Sequence, residues 1–178
     1  MSRNLTRPPE VPPARPGREP VVAVVALGAN LGDRRATVTE AAERIARLQL
    51  VSDVRLSPLH ETVAVRLDGP DPDAPGYVNA VALVTTRLAP EILLGMLHAI
   101  EDENGRVRRE RWGDRTLDLD LVAYGDVVSD DPRLLLPHPR AAERLFVLEP
   151  WLDLDPVAVL VGHGTVAALA AALRAQEA

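Results

Sequence analysis

The chain between Val21 and Leu50 changes from one hydrophobic period to another, and each period predicts one element. Residues 21–27 form an uninterrupted apolar run rich in valine, which is typical of a buried strand. A turn at 28–33 follows and ends at Asp33, a residue type that caps helix N-termini. The next helix is predicted to reach about Leu50 and carries an apolar stripe at intervals of three and four residues: Val38, Ala41, Ile45 and Leu48.

Two strands and a second helix are predicted next. Residues 51–59 and 77–86 have the β-branched, apolar character of strands, and a loop rich in Pro, Gly and Asp at 68–76 separates them. Pro90 opens the second helix at its first turn, and Gly105 ends it. The core stripe of this helix comprises Leu93, Met96, Leu97 and Ile100.

The last predicted elements are three strands and a C-terminal helix. Residues 117–124 predict a strand, followed by a hairpin turn at 125–126 into a strand at 127–128. We also predict a short strand near Phe146 and an alanine-rich C-terminal helix. The order βαββαβ predicts an α+β, ferredoxin-like fold, in which helices pack on an antiparallel sheet.

Length and composition predict a single domain with an N-terminal tail. A chain of 178 residues has enough sequence for one sizeable core. Residues 1–20 hold six prolines among charged side chains, a composition that favours disorder. We therefore expect a disordered tail at 1–20 and one folded domain at 21–178.

Charge and residue usage exclude several classes of protein. The net charge of -6 opposes binding to nucleic acid or anionic lipid, and the early apolar run is too short to cross a bilayer. The chain has no cysteine, which suits a reducing compartment. All 20 basic residues are arginine, so no lysine serves a Walker-type phosphate loop. We expect a monomeric cytoplasmic protein that binds neither nucleic acid nor membranes.

Asp118 and Asp120 are the strongest candidates for chemistry. They alternate with Leu117, Leu119 and Leu121, so a strand places both carboxylates on one face, roughly 6 to 7 Å apart. Two like charges on one face call for a cation, and Mg²⁺ typically takes one or two carboxylates together with substrate phosphates. For an isolated Asp-x-Asp, an exposed strand face paired with arginines is the alternative.

The residues before this strand favour the metal interpretation. They form a basic cluster in an acidic protein: Arg106, Arg108, Arg109, Arg111 and Arg115. Arginines beside metal-binding carboxylates are typical of phosphoryl transfer, because positive groups stabilise the charge that develops on phosphate oxygens. The sequence therefore predicts a magnesium-dependent enzyme that transfers phosphate groups.

A few isolated residues are weaker candidates. Tyr77 and Asn79 share a strand face and suit a flat heterocycle, although a tyrosine at a strand start more often only packs. Phe146 is either a second aromatic plane or core. Trp112, in a charged loop, suggests a mobile lid. His138 is either structural or a further phosphate contact.

Six motifs together resemble the 6-hydroxymethyl-7,8-dihydropterin pyrophosphokinases of folate biosynthesis. The resemblance covers Val21 to Pro156, and its most specific part is the block at 111–120. The motifs are LGANLGD at 27–33, YVNA at 77–80, GRVR at 105–108, RWGDRTLDLD at 111–120, PHPR at 137–140 and RLFVL at 144–148.

The resemblance implies a reaction and its substrates. Enzymes of this family transfer the β,γ-pyrophosphoryl group of ATP to the hydroxymethyl oxygen of the pterin and release AMP. It implies that Asp118 and Asp120 bind two Mg²⁺ ions, with Asp118 also beside the pterin. It assigns catalytic roles to these aspartates and to Arg111 and Arg115.

The resemblance also assigns substrate contacts. The ATP contacts implied by it are His98, Glu101, Arg108, Arg111, Trp112, Arg115, His138 and Arg144, with His98 and Glu101 near the nucleoside. The pterin contacts implied by it are Thr62, Tyr77, Asn79, Asp118 and Phe146, with Tyr77 and Phe146 on the two sides of the ring.

Two other functions use the same residues. An RNA-binding module on this fold is opposed by the acidic total, by the aromatic content of 3% and by the missing Arg/Lys-Gly-Phe-type motif. A metal-dependent phosphohydrolase is opposed by the lack of a further carboxylate or histidine cluster in the sequence.

Overall fold

The computed structural model describes residues 19–62, 64–66, 69–71, 76–104 and 116–177. The strands are β1 (Val21–Ala29), β2 (Val51–Leu56), β3 (His60–Thr62), β4 (Ala64–Arg66), β5 (Gly69–Asp71), β6 (Tyr77–Thr86), β7 (Asp118–Tyr124), β8 (Ser129–Asp131), β9 (Leu134–Leu136), β10 (Val159–Leu160) and β11 (Gly164–Thr165). The α-helices are α1 (Arg34–Ala46), α2 (Pro90–Glu103), α3 (Leu145–Leu154) and α4 (Val166–Glu177), and a 3₁₀ turn spans Ala141–Glu143. None of the helices in these ranges has the length and apolarity needed to cross a membrane.

The main sheet has the order β2–β6–β1–β7, and β3 extends it by pairing with β6 beyond the end of β2. Every pairing in it is antiparallel. The predicted α+β, ferredoxin-like fold is confirmed, since the order of β1, α1, β2, β6, α2 and β7 is the predicted βαββαβ. The small strand pairs β4–β5, β8–β9 and β10–β11 lie outside this sheet.

Each face of the sheet is covered by its own pair of helices. Alternate residues of β1, β6 and β7 pack against the apolar stripes of α1 and α2, with Ile45 and Leu97 fully buried. The other residues of the same strands, such as Val24 and Val81, pack against α3 and α4. The alternation of side chains along a strand therefore decides which layer each residue joins.

The predicted helix and strand starts are mostly confirmed. Asp33 caps α1, since its Oδ1 accepts from the Ala36 N–H at 3.1 Å. Pro90 lies in the first turn of α2, and β6 has the predicted bounds. The first helix ends at Ala46 instead of Leu50, because Leu50 adopts a left-handed conformation with φ 66 as the chain turns into β2. Gly105, the predicted end of α2, lies outside the described residues.

Four local predictions are wrong. The second strand ends at Leu56, and the predicted loop at 68–76 contains β5, which pairs with β4. Residues 127–128 do not return along β7; instead β8 follows and pairs with β9. Phe146 lies in α3 and not in a strand. For segments this short, the residue pattern neither separates strand from helix reliably nor specifies a pairing partner.

The cap of α1 gives a test of this local structure. Asp33→Ala removes the acceptor of the Ala36 N–H and should lower the free energy of unfolding by about 1 kcal/mol. Asp33→Asn keeps a capping oxygen and is the matched control. Denaturant unfolding measures both, and equal losses in the two variants would contradict the capping role.

Candidate active site

A row of three residues crosses the sheet at the centre of the site. Gly28 of β1 pairs with Asn79 of β6 on one side and with Asp118 of β7 on the other. Residues directly opposite each other in an antiparallel sheet point to the same face. Asn79 and Asp118 therefore share a face, and the glycine between them contributes no side chain. A Cβ built on Gly28 would lie 3.3 Å from the Asn79 Oδ1.

The two aspartates are arranged as predicted from the alternation. Asp118 and Asp120 are partly exposed on one face of β7, while Leu117, Leu119 and Leu121 are buried against α1 and α2. The leucines hold the strand in the core. They thereby fix the direction in which the carboxylates project.

Asp120 lies beside two basic side chains from the segment before α3. The Arg144 Nη1 donates to the Asp120 Oδ2 at 3.0 Å, and the His138 Nε2 lies 3.8 Å from the same oxygen. Arg144 is the N-cap residue of α3, so the positive end of this helix also lies beside it. The fold thus places the predicted site residues His138 and Arg144 next to Asp120.

The surroundings of His138 favour its neutral form. Burial lowers the pKa of its imidazole below the ordinary 6.5, Arg144 and Arg140 lower it further, and Asp120 and Asp118 oppose them. The Arg140 N–H donates to the His138 Nδ1 at 3.2 Å. Since Nδ1 accepts, the neutral ring carries its hydrogen on Nε2, the nitrogen that faces Asp120.

Thr62 and Tyr77 continue the same face beyond Asn79. Thr62 pairs with Tyr77 in the β3–β6 register, and the Asn79 Nδ2 donates to the Thr62 Oγ1 at 2.9 Å. Asn79 is only 6% exposed. This hydrogen bond fixes the amide orientation and leaves its Oδ1 directed to the Gly28 side.

Phe146 is placed at the first turn of α3, 41% exposed. The Arg144 guanidinium lies 5.6 Å from the centre of its ring. Near the other end of α3, the His60 Nε2 is 2.6 Å from the Asp153 Oδ2, which links the helix to β3. A ring that remains this exposed on an anchored helix is available to a ligand.

Two residues that the sequence did not single out support Tyr77. Arg34, at the start of α1, donates through its Nη1 to the carbonyl of Gly76, the residue before Tyr77. A Cβ on Gly76 would lie 2.8 Å from the Thr62 carbonyl oxygen, so this close approach requires glycine. No sequence signal links Arg34 to Gly76, which is 42 residues away.

A cavity of about 160 Å³ adjoins Asp120 on the outer side of β7. Asp120 and His138 supply its polar side, and its remaining lining is mostly apolar or proline: Leu94, Leu121, Pro132, Leu134, Leu135 and Pro139, with Arg133. The β8–β9 hairpin and the segment after it form much of this wall, and sequence reasoning missed the contribution of the hairpin. A larger cavity of about 210 Å³, which Trp151 and Val159 help to line, lies at the opposite end of β1 from the aspartates and has no part in this site.

The two predicted site residues on α2 lie on the other side of the sheet from the aspartates. His98 is partly buried, and Glu101 is 1% exposed with its Oε1 accepting from the Leu119 N–H at 2.8 Å. Both belong to the helix on the face opposite the aspartates. Four further predicted site residues lie outside the described residues: Arg108, Arg111, Trp112 and Arg115.

Comparisons with known proteins agree on one family. The model of the 7,8-dihydro-6-hydroxymethylpterin-pyrophosphokinase (HPPK) family matches residues 24–156. A 2-amino-4-hydroxy-6-hydroxymethyldihydropteridine pyrophosphokinase of Pseudomonas aeruginosa is 46% identical over 132 residues, 74% of this chain and 79% of that protein. The protein of the same name from Haemophilus influenzae is 39% identical over 140 residues, 79% of this chain and 85% of that protein.

A solved structure supports the fold. The chain is similar to Plasmodium falciparum HPPK-DHPS with pteroate at a TM-score of 0.67 and 14% identity. The match covers 92% of this chain and 44% of that one, so the chain spans less than half of the solved protein. At this identity the likeness shows the fold alone.

The lowered pKa of His138 predicts a pH dependence of stability. The unfolded chain binds a proton near pH 6.5 more readily than the folded one, so stability falls as the pH drops below this value. In EDTA, His138→Asn should therefore lose less thermal stability than the wild type between about pH 7.5 and about pH 5.5. His163→Asn is the control for replacing an exposed histidine. An unchanged or steeper loss in His138→Asn would contradict the burial of a neutral ring.

Proposed function

The chain belongs to the 7,8-dihydro-6-hydroxymethylpterin-pyrophosphokinase family, and we propose that Asp118 and Asp120 form its catalytic centre. The enzyme transfers pyrophosphate from ATP to the hydroxymethyl group of 6-hydroxymethyl-7,8-dihydropterin in folate biosynthesis, giving the pterin diphosphate and AMP. In this reaction the hydroxymethyl oxygen bonds to the β-phosphorus of ATP. The bond from that phosphorus to the α,β-bridging oxygen breaks, and the hydroxyl proton is released.

One observation carries the proposal: the row Asn79–Gly28–Asp118 continues along β7 to Asp120. In this proposal the Asn79 end of the row binds the pterin and the Asp120 end binds the nucleotide. The amide and the empty position at Gly28 suit the edge of a flat pterin, which both donates and accepts hydrogen bonds. Gly28 pairs with Asp118, and Ala26 pairs with Asp120. In this proposal Asp118 would lie where the hydroxymethyl group meets the phosphates, and Asp120 would lie on the nucleotide side.

Magnesium fits the carboxylate pair. No cluster of three or more His, Asp or Glu side chains that could cage a metal occurs among the described residues. Mg²⁺ is commonly held by one or two carboxylates and by substrate phosphates, which matches Asp118 and Asp120. When bound, Mg²⁺ neutralises charge on the phosphate oxygens and lowers the pKa of a coordinated hydroxyl. We propose two ions, as in the sequence-based prediction.

Arg144 and His138 hold the nucleotide side in this proposal. Arg144 already neutralises Asp120, and a guanidinium binds phosphate in the same way as carboxylate. The neutral His138 offers its Nε2–H as a donor without adding a charge. The cavity beside them, with leucines on one wall, has the character of a site for a nucleoside base.

The remaining contacts rest on the family resemblance. Tyr77 and Phe146 would enclose the pterin ring, with Thr62 holding the Asn79 amide in place. His98 and Glu101 stay predictions as nucleoside contacts. The arginines of the undescribed segment, Arg108, Arg111 and Arg115, would bind the triphosphate with Trp112 beside them. The monomeric state, the cytoplasmic location and the lack of nucleic-acid or membrane binding also stay predictions.

Removal of either carboxylate tests the catalytic centre. Asp118→Asn and Asp120→Asn should each lower turnover by about 100-fold or more, because each loses an anionic ligand while keeping its shape. AMP and pterin diphosphate, separated by chromatography, are the readout, and thermal melting checks the fold. Asp126→Asn, in the exposed turn after β7, is the control. Near-normal turnover in both site variants, or ADP as the nucleotide product, would refute the proposal.

Gly28→Ala tests the pterin side separately. Its Cβ would meet the Asn79 Oδ1 at 3.3 Å and occupy the space beside Asp118. We expect the KM for the pterin to rise by roughly 10-fold, equal to about 1.4 kcal/mol, with little change in the KM for ATP.

Gly95→Ala is the matched control, since no described atom lies within 4 Å of a Cβ at this exposed position of α2. Parallel changes in both KM values for Gly28→Ala would place the pterin elsewhere.

A further inference from the structure

Glu101 is a buried carboxylate on α2, the helix on the face of the sheet opposite the two aspartates. It lies in the last turn of α2 and is 1% exposed. Removing an ionisable side chain from water is costly unless polar partners compensate for the lost hydration. A glutamate in this position therefore needs a structural reason.

Glu101 contacts the backbone of β7 between the two aspartates. The Glu101 Oε1 accepts from the Leu119 N–H at 2.8 Å, and Leu119 is the residue between the two aspartates. In the described part of the chain, β7 is the last strand of the order β2–β6–β1–β7. Among the described residues no strand pairs with its outer edge, and the Glu101 carboxylate supplies the Leu119 N–H with the acceptor that such a strand would provide.

The hydrogen bond from the Leu119 N–H to Glu101 constrains both aspartates. The Leu119 side chain is held in the core between the sheet and α2, at 1% exposure, and its N–H is held by Glu101. With both groups fixed, the strand cannot rotate about its axis at this residue. Asp118 and Asp120, one position before and after, are then fixed on the opposite face.

We propose that Glu101 is a positioning residue that keeps Asp118 and Asp120 in register for the metal and the triphosphate. The inference rests on the proposed role of these aspartates. It differs from the nucleoside contact implied by the family resemblance, because it places the action of Glu101 on the backbone of β7. A charged acceptor gives a shorter and stronger hydrogen bond than a neutral one, which suits this task.

Three variants separate the possibilities. Glu101→Gln keeps an acceptor oxygen at the same position, whereas Glu101→Met keeps the length but has no strong acceptor. Asp102→Asn, the exposed neighbour on the same helix turn, is the matched control. Thermal melting establishes that each variant folds.

The first measurement needs no substrate. Hydrogen exchange at the Leu119 amide, followed by NMR, should be slow in the wild type, in Glu101→Gln and in Asp102→Asn, and faster in Glu101→Met. Unchanged exchange in Glu101→Met would overturn the positioning role. This readout does not depend on the reaction, so it stays valid if the proposed activity is wrong.

The second measurement is the Mg²⁺ dependence of AMP formation at saturating ATP. Glu101→Met should raise the Mg²⁺ concentration for half-maximal rate by about 10-fold or more, as is usual when a partner that orients a metal ligand is lost. Glu101→Gln should recover most of this loss, and the preference for ATP over GTP should stay the same in all variants. A loss of ATP preference with an unchanged Mg²⁺ dependence would assign Glu101 to the nucleoside and overturn the proposal.

If Glu101→Met does not fold, Glu101→Asp replaces it in both measurements. The shorter side chain withdraws the acceptor while keeping the charge, so the same shifts in amide exchange and in Mg²⁺ dependence are expected. Wild-type behaviour of Glu101→Asp in both would overturn the proposal.

Discussion

The alternation of leucine and aspartate along β7 is the constraint on which the site depends. Burial of Leu117, Leu119 and Leu121 against α1 and α2 stabilises the strand and leaves it no alternative register. A shift by one residue would place both aspartates in the core and expose the leucines. The energy that folds this part of the chain is therefore also the energy that holds two like charges together on the other face.

The position of β1 explains how the site is assembled from distant segments. It is the strand between β6 and β7, so Gly28 alone separates Asn79 from Asp118. The valines and alanine earlier in β1 fill both layers of the core, whereas the glycine near its end leaves a space. Within a few residues, one strand thus changes from filling the core to leaving the space that we propose for the pterin.

Sequence reasoning predicted the elements whose pattern is unambiguous and the common strand face of Asp118 and Asp120. The roles of these residues stay predictions. The continuous apolar run of β1 and the alternation in β7 each indicate a strand. The placement of both carboxylates on one face of β7 follows from that alternation. Phe146 lies in a short apolar run that suits a strand or a helix, and Pro150 within α3 further obscures the helical period. The Glu101–Leu119 and Arg34–Gly76 contacts join residues 18 and 42 positions apart, and no local pattern encodes them.

The site exists because α3 covers only part of its face of the sheet. Val147, Leu148 and Trp151 pack over that part together with Val81 and Leu83 of β6. Beyond the start of the helix, the strand positions on this face include four polar residues and a glycine: Thr62, Asn79, Gly28, Asp118 and Asp120. An apolar sequence there would leave a sheet surface that favours aggregation. Arg144 and Phe146 stand at this boundary, so the end of the packed layer itself supplies the cation that binds Asp120 and the aromatic ring beside that cation.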